Sequence, residues 1–428
     1  MAGALGVPYT RNRQYAGATA GEGSSERSSP SSNNEILSCR VGVSDEGDRR
    51  VVVHASSGEP GQVLTGAALL RASDVYGKAG LRSGMANLTR DGVSTPVARR
   101  FFQHTSEPIV ERLKSEFPES VVMAAEEFWI PSARRDIGLH CMEWIPEGEV
   151  RMIVQILHGM VECAENYDGL ATYLNSHGIA VVGHDHRGHG DTGPVLGIIA
   201  DSDGDMELVR DAFEVTSVIE ERYPGIPIYL LGFSMGSFIA RRCVTIEGGR
   251  YKGLLALGSG NPPRGFVTAL ISGIRGLERV YGSDHTGPMI IESTGRLINR
   301  IHKTSENASS WCTTDSSLWE VHKDDPRYNF QFTYGAYRDL MTLILRLVDE
   351  EDFDRIPKDL PVLFMSGGSD PVGQKGNGVR KAAEILERYG LRPDTIIYEG
   401  EMHCFLDGKP GEKSRPDILD WLNRMNNR

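Results

Sequence analysis

No apolar run in this chain approaches the roughly 20 residues that a helix needs to cross a bilayer, so a membrane span is not expected. Positive charge is also in deficit: 46 Lys and Arg stand against 58 Asp and Glu, a formal net charge of -12. A phosphate-binding surface needs the opposite balance, which argues against a nucleic-acid partner. The opening residues, Met1-Ala2-Gly3-Ala4-Leu5-Gly6-Val7-Pro8, carry no basic segment ahead of an apolar one, and a secretory leader is not expected. Cys39, Cys141, Cys163, Cys243, Cys312 and Cys404 show neither a C-x-x-C pair nor a disulfide framework. Reduced thiols in a cytoplasmic protein follow as the expectation. In that setting the glycosylation-type triplets Asn87-Leu88-Thr89 and Asn307-Ala308-Ser309 are chance matches.

What the chain does have is enough apolar residue, 39% of 428, for a large core, but the distribution is uneven. Residues 21–34 are Gly, Ser, Glu, Arg, Asn and Pro with almost nothing to bury, and such a segment cannot offset its conformational entropy. Residues 1–121 therefore read as a low-complexity, largely disordered N-terminal extension. It holds only short apolar pieces, Val51-Val52-Val53 and Val63-Leu64, and an amphipathic helix candidate at 106–117.

From residue 122 the rhythm changes. Strand candidates at 127–130, 139–144, 152–157, 179–183, 228–231, 253–258, 362–365 and 395–398 alternate with helical patterns at 167–176, 207–222, 237–245 and 378–389. Strands interleaved with helices indicate an α/β fold with a mostly parallel central sheet and helices on both faces. One interval, at about 261–356, has no strong strand signal and reads as a helical cap insertion, with helices expected at 268–280, 289–302 and 336–348.

Within this frame, Gly232-Phe233-Ser234-Met235-Gly236 sits between a strand and a helix. That is the sequence form of a nucleophile elbow, in which glycines flank a strained turn that presents the serine hydroxyl. A serine needs a base, and the base needs an acid to orient it. In this type of fold the acid and then the histidine follow the serine along the chain. Asp370 lies in the loop after the strand candidate 362–365, and His403 lies just past the strand candidate 395–398. Both are thus at carboxyl ends of strands, where open α/β sheets place their sites. An oxyanion hole completes the set. Its backbone donors are expected at Met235, the residue after the nucleophile, and at Met160, in the loop after the strand candidate 152–157.

His158-Gly159-Met160-Val161-Glu162, Asp185-His186-Arg187-Gly188-His189-Gly190, the serine motif, Gly368-Ser369-Asp370-Pro371-Val372 and His403 together resemble monoacylglycerol-lipase-like and lysophospholipase-like α/β-hydrolases. Asp325-Pro326, Phe330-Gln331-Phe332-Thr333 and Tyr337-Arg338-Asp339-Leu340 resemble the end of that group's cap. The resemblance covers about 124–428. It departs at Cys163, where many relatives carry histidine, and at Ser132-Ala133-Arg134-Arg135-Asp136, which replaces a tight Asp-Gly turn. It implies the α/β-hydrolase fold and a small-molecule acyl ester as substrate, a monoacylglycerol or lysophospholipid above all, with transient contact to membrane or lipid aggregates left open. Short-chain carboxylesterase, thioesterase and a non-catalytic ligand-binding protein stand as alternatives. Apolar cap positions such as Leu270, Ile271, Ile274, Leu277, Phe330 and Phe332 are candidates for an acyl pocket.

Two motifs compete with this reading. His184-Asp185-His186-Arg187-Gly188-His189 is close to a metallohydrolase signature, but Gly188 stands where that signature needs aspartate. Gly188-His189-Gly190-Asp191-Thr192-Gly193 fits a dinucleotide loop, but Pro194 follows where a helix must open. Neither a metal nor a cofactor is expected.

Overall fold

The computed structural model describes residues 125–286, 312–313, 325–406 and 408–427, together with the backbone of five strands between residues 36 and 123. Those five are β1 (Ile36–Val43), β2 (Arg49–Ser56), β3 (Ala67–Arg71), β4 (Ala86–Leu88) and β5 (Val122–Met123). They form an antiparallel sheet in the order β4-β1-β2-β3-β5. The sequence reading gave only short apolar pieces here. The expected disordered stretch 21–34 and the helix candidates 106–117 and 289–302 lie outside the described residues.

The second sheet carries the site. Its strands are β6 (Glu126–Pro131), β7 (Gly138–Trp144), β8 (Met152–Leu157), β9 (Ile179–His184), β10 (Ile228–Phe233), β11 (Gly253–Leu257), β12 (Val362–Gly367) and β13 (Asp394–Tyr398). The order is β13-β12-β11-β10-β8-β9-β7-β6, parallel from β9 to β13, with β6 and β7 antiparallel at one edge. Every residue of β8, β9, β10, β11 and β12 is buried, which explains why these strands appear in the sequence as continuous apolar runs rather than alternations.

Both faces are covered by helices. On one face α1 (Asp168–Asn175) and α7 (Gly408–Asn426) contribute Leu170, Leu174, Ile418, Trp421 and Leu422 to a core with Val154, Val181 and Leu231. On the other, α2 (Gly204–Arg222), α3 (Met235–Glu247), α5 (Tyr334–Val348) and α6 (Asn377–Arg388) pack over Ile153, Leu230 and Ala256. The cap interval supplies α4 (Arg264–Tyr281) and α5, and among its described residues no strand interrupts them. Because β9 and β10 lie on opposite sides of β8, the chain reverses its winding direction there. A crevice at the carboxyl ends of the strands follows from that reversal.

Candidate active site

Ser234 stands between β10 and α3 with φ 51° and ψ −117°, outside the regions that a non-glycine residue ordinarily adopts. The flanking glycines make this turn feasible. A Cβ on Gly232 would sit 2.2 Å from the Gly236 carbonyl oxygen, and one on Gly236 would sit 1.9 Å from that of Leu157. The Ser234 N–H donates to the Leu257 carbonyl at 2.9 Å, and the Ser237 hydroxyl donates to the Ser234 carbonyl at 2.6 Å. Met235 opens α3, so its N–H belongs to the first turn, where no earlier helical carbonyl can accept it.

The fold brings His403 and Asp370 to this serine across 169 and 136 positions of sequence. His403 Nε2 lies 2.8 Å from Ser234 Oγ. On the other side of the ring Nδ1 lies 2.9 Å from Asp370 Oδ2, within ion-pair distance but not aligned as a linear hydrogen bond. Catalytic contacts are often loose until substrate is bound. Asp370 is fully buried; its Oδ1 accepts the Val372 N–H at 2.8 Å and its Oδ2 accepts the Ser366 hydroxyl at 3.3 Å.

Met160 lies in the loop after β8, which buried groups hold in place. His158 Nε2 accepts the His186 N–H at 2.9 Å, so its proton is on Nδ1, which donates to the Gly159 carbonyl at 2.7 Å. Val161 has φ 62°, a left-handed conformation that a β-branched residue adopts only under constraint. Part of that constraint is Glu162, to which the sequence reading gave no role. Its carboxylate accepts the Gly159 N–H, and it accepts the Tyr167 hydroxyl at 2.7 Å. Burial raises its pKa against these hydrogen bonds.

Beneath the loop, the histidines of the would-be metal motif pack as rings. His158, His184, His186 and His189 are all buried, with centroids 4.1 Å apart for His158 and His186 and 4.8 Å for His184 and His186. Among the described residues the one group whose potential ligand atoms converge is His140, Asp185 and Asp191. There the Asp185 carboxylate is already engaged: it meets His140 Nδ1 at 2.8 Å and accepts the N–H groups of Ala164 at 2.8 Å and Asp191 at 2.9 Å. Burial alone would lower the His140 pKa, but Asp185 and Glu127 outweigh it and push it up to about 10. This arrangement is an ion pair that ties β7 to the loop after β9.

The cap residues divide. Ile271 and Ile274 are buried in the core, Leu277 and Phe330 pack against it, and Leu270 is 38% exposed. Phe332 is fully buried and packs 5.2 Å from the His189 ring, which makes it a core residue rather than pocket lining. At the departure from the family pattern, Cys163 Sγ lies 3.1 Å from the Tyr328 hydroxyl, and the neighbouring Arg327 reaches Glu165 at 2.8 Å. The cap's returning stem is thereby fixed to the loop that carries Met160.

The expectation of reduced thiols throughout requires correction. Cys312 and Cys404 form a disulfide across 92 residues, and the Cys404 N–H donates to the Cys312 carbonyl at 2.6 Å. Only the folded chain brings these two together, so sequence spacing could not show the pair. Cys141, Cys163 and Cys243 are free and buried. Disulfides persist in oxidising compartments, so this pair weighs against the cytoplasmic setting drawn from the cysteine pattern. Among the described residues no helix is long and apolar enough to cross a membrane.

Similarity to known proteins agrees with this architecture. A monoglyceride lipase homolog of monkeypox virus is 38% identical over 102 residues, and the monoglyceride lipase of Homo sapiens is 31% identical over 119. The matched stretches cover 24% and 28% of this chain and 36% and 38% of those relatives, so the chain aligns with little more than a third of each. A thermostable carboxyl esterase from Bacillus coagulans, solved in complex with glycerol, superposes with TM-score 0.66 at 25% identity, covering 71% of this chain and 99% of that one. The family described as serine aminopeptidase, S33 (Hydrolase_4) matches residues 148–409. Since that match takes in more than half of the chain, the protein belongs to this family of α/β-hydrolases.

Proposed function

We propose that the protein is a serine ester hydrolase that works through an acyl-enzyme. The observation that carries this reading is the 2.8 Å approach of His403 Nε2 to Ser234 Oγ at a strained elbow, with the buried Asp370 behind the ring. Ser234 Oγ attacks the ester carbonyl while His403 takes its proton, and His403 then protonates the leaving alcohol. Asp370 holds the ring in the tautomer with its proton on Nδ1 and stabilises the imidazolium. The amides of Met160 and Met235 receive the oxyanion. Water then repeats the sequence on the acyl-enzyme. A fluorophosphonate probe should label Ser234 stoichiometrically. An unlabelled, folded protein would favour a non-catalytic ligand-binding role.

The substrate class we propose is a lipid-like monoester, a monoacylglycerol or lysophospholipid. The supports are the names of the similar proteins and the helices α4 and α5 in the insertion between β11 and β12. An apolar acyl site rewards each buried methylene by up to roughly 0.8 kcal/mol, or about fourfold in kcat/KM. Efficiency toward glycerol monoesters should therefore climb from acetyl through medium chains and then level off, with triacylglycerols poor. Steady-state kinetics from acetyl to palmitoyl esters decides the point. A fall from acetyl onward would indicate a short-chain carboxylesterase, and fast turnover of an aminoacyl amide would indicate a peptidase.

The hydrolase unit we propose begins near residue 122 and holds the whole second sheet, with the two-residue β5 the one strand of the first sheet that falls inside it. A chain truncated to start at residue 120 should fold, with kcat within about twofold and Tm within a few degrees of the full chain, since it keeps the whole of the second sheet. An insoluble or inactive truncation would make the N-terminal sheet part of the enzyme's core.

A further inference from the structure

Arg241 is 5% exposed and lies on α3, two turns beyond Ser234. Among the described residues no carboxylate pairs with it, and burial alone lowers its pKa, to about 10. Its neighbour Arg242 behaves as buried arginines ordinarily do, pairing with Glu351 at 3.0 Å and Asp352 at 2.9 Å. Arg241 instead donates from Nη1 to the Gly260 carbonyl at 2.7 Å and the Ser259 hydroxyl at 3.1 Å, with its guanidinium carbon 5.7 Å from the Phe364 ring centroid. A buried cation spent on a loop carbonyl and hydroxyl is costly unless that loop matters.

Residues 258–260 leave the end of β11, between the strand that delivers Ser234 and the one that delivers Asp370. At Gly258 a Cβ would lie 2.9 Å from His403 Cε1, and at Gly260 one would lie 2.2 Å from the Val372 carbonyl oxygen. Val372 in turn gives its N–H to Asp370 Oδ1. The loop therefore touches both the base and the segment that holds the acid.

We propose that Arg241 is the positioning residue that ties the nucleophile's helix to the acid and base loops, and so sets the Ser234–His403 separation. It touches neither substrate nor reacting atoms; it acts through Ser259 and Gly260. This inference rests on the triad reading above.

Arg241→Met conserves volume while removing the donors, and should lower kcat by roughly 10-fold to 100-fold, the scale on which small misplacements act. KM should stay within about threefold, and the rate of fluorophosphonate labelling should fall in parallel with kcat. Arg241→Lys, which keeps a buried cation, should recover activity to between the Met variant and wild type. Arg242→Met serves as the comparison: it should lose Tm yet keep its kcat. A kcat for Arg241→Met within threefold of wild type would overturn the inference, as would a loss no larger than that of Arg242→Met at matched Tm. Should Arg241→Met fail to fold, Ser259→Ala decides, because it removes one acceptor without burying a new group: a severalfold loss of kcat at unchanged KM supports the role, and a wild-type kcat overturns it. Failure of wild type to label at all would instead sink the triad reading, so the two failures remain distinct.

Discussion

Ser234→Ala should reduce kcat by about 10⁴-fold to 10⁶-fold, with KM and Tm little changed. The size of the effect follows from what remains when the nucleophile is gone. On the proposed mechanism the oxyanion donors and the binding site still act on an ester, but no covalent intermediate can form, and water would have to enter a space shaped for a side chain. Tm should hold because the elbow is maintained by backbone contacts at Gly232, Gly236 and Leu257 rather than by the hydroxyl. His403→Ala should be nearly as severe and Asp370→Ala somewhat less. Pre-steady-state titration of purified protein checks this, because it separates a slow enzyme from traces of a fast one. Retention of more than a tenth of wild-type kcat in Ser234→Ala would end the nucleophile assignment. Wild-type activity should also survive EDTA, and its loss there would return attention to His140, Asp185 and Asp191.

Much of this site was legible in the chain because its determinants are local. A strained strand-to-helix turn needs glycine at fixed offsets, so Gly232 and Gly236 mark Ser234 whatever the distant fold does. Fully buried parallel strands such as β8 and β12 announce themselves as unbroken apolar runs, and their ends locate Met160 and Asp370. What escaped was set by long-range contact or by diluted patterns. α7 carries Ile418, Trp421, Leu422 and Met425 at helical spacing, but Gly408, Pro410, Gly411 and Pro416 obscured its beginning. Glu162 belongs to the segment His158-Gly159-Met160-Val161-Glu162, but its role is not local. Only the three-dimensional path of the loop turns its carboxylate back onto Gly159. The Cys312–Cys404 pair and the grip of Arg241 on residues 259–260 depend on separations that no local rule encodes.

The stability of the protein should fall below pH 6.5, and the cause is the histidine stack under the loop that carries Met160. Burial lowers the pKa of His184 and of His189 to about 4 and that of His158 to about 3, with His186 also well below the ordinary value. These rings are therefore neutral in the folded protein through the mildly acidic range. In the unfolded chain each takes up a proton below about pH 6.5. The unfolded state then binds more protons than the folded one, and stability drops as pH falls, by about 1.4 kcal/mol per pH unit for each ring. Carboxyls raised by burial oppose this. Asp168 and Asp339, both pushed up to about 6, add stability as they protonate between pH 6 and pH 4, and Glu162 and Asp211, also raised by burial, act in the same sense. His140 does not oppose it below pH 6.5, since with a pKa of about 10 its contribution is complete there and is lost progressively as pH rises from 6.5 towards 10. Four rings stand against four carboxyls, and because the imidazoles of His184, His189 and His158 are displaced further from their unfolded values than Asp168 and Asp339 are, a net loss on the order of 1 kcal/mol per pH unit is left between pH 6 and pH 5. Calorimetry from pH 6.5 to pH 5 should show Tm falling by a few degrees. The assignment to the stack has its own check. Neither ring nitrogen of His184 has a hydrogen-bond partner, so His184→Leu should flatten the acid limb while leaving kcat at neutral pH unchanged. A Tm that stays level or rises on acidification, or an acid limb that His184→Leu leaves intact, would show that these imidazoles are not held neutral by the fold.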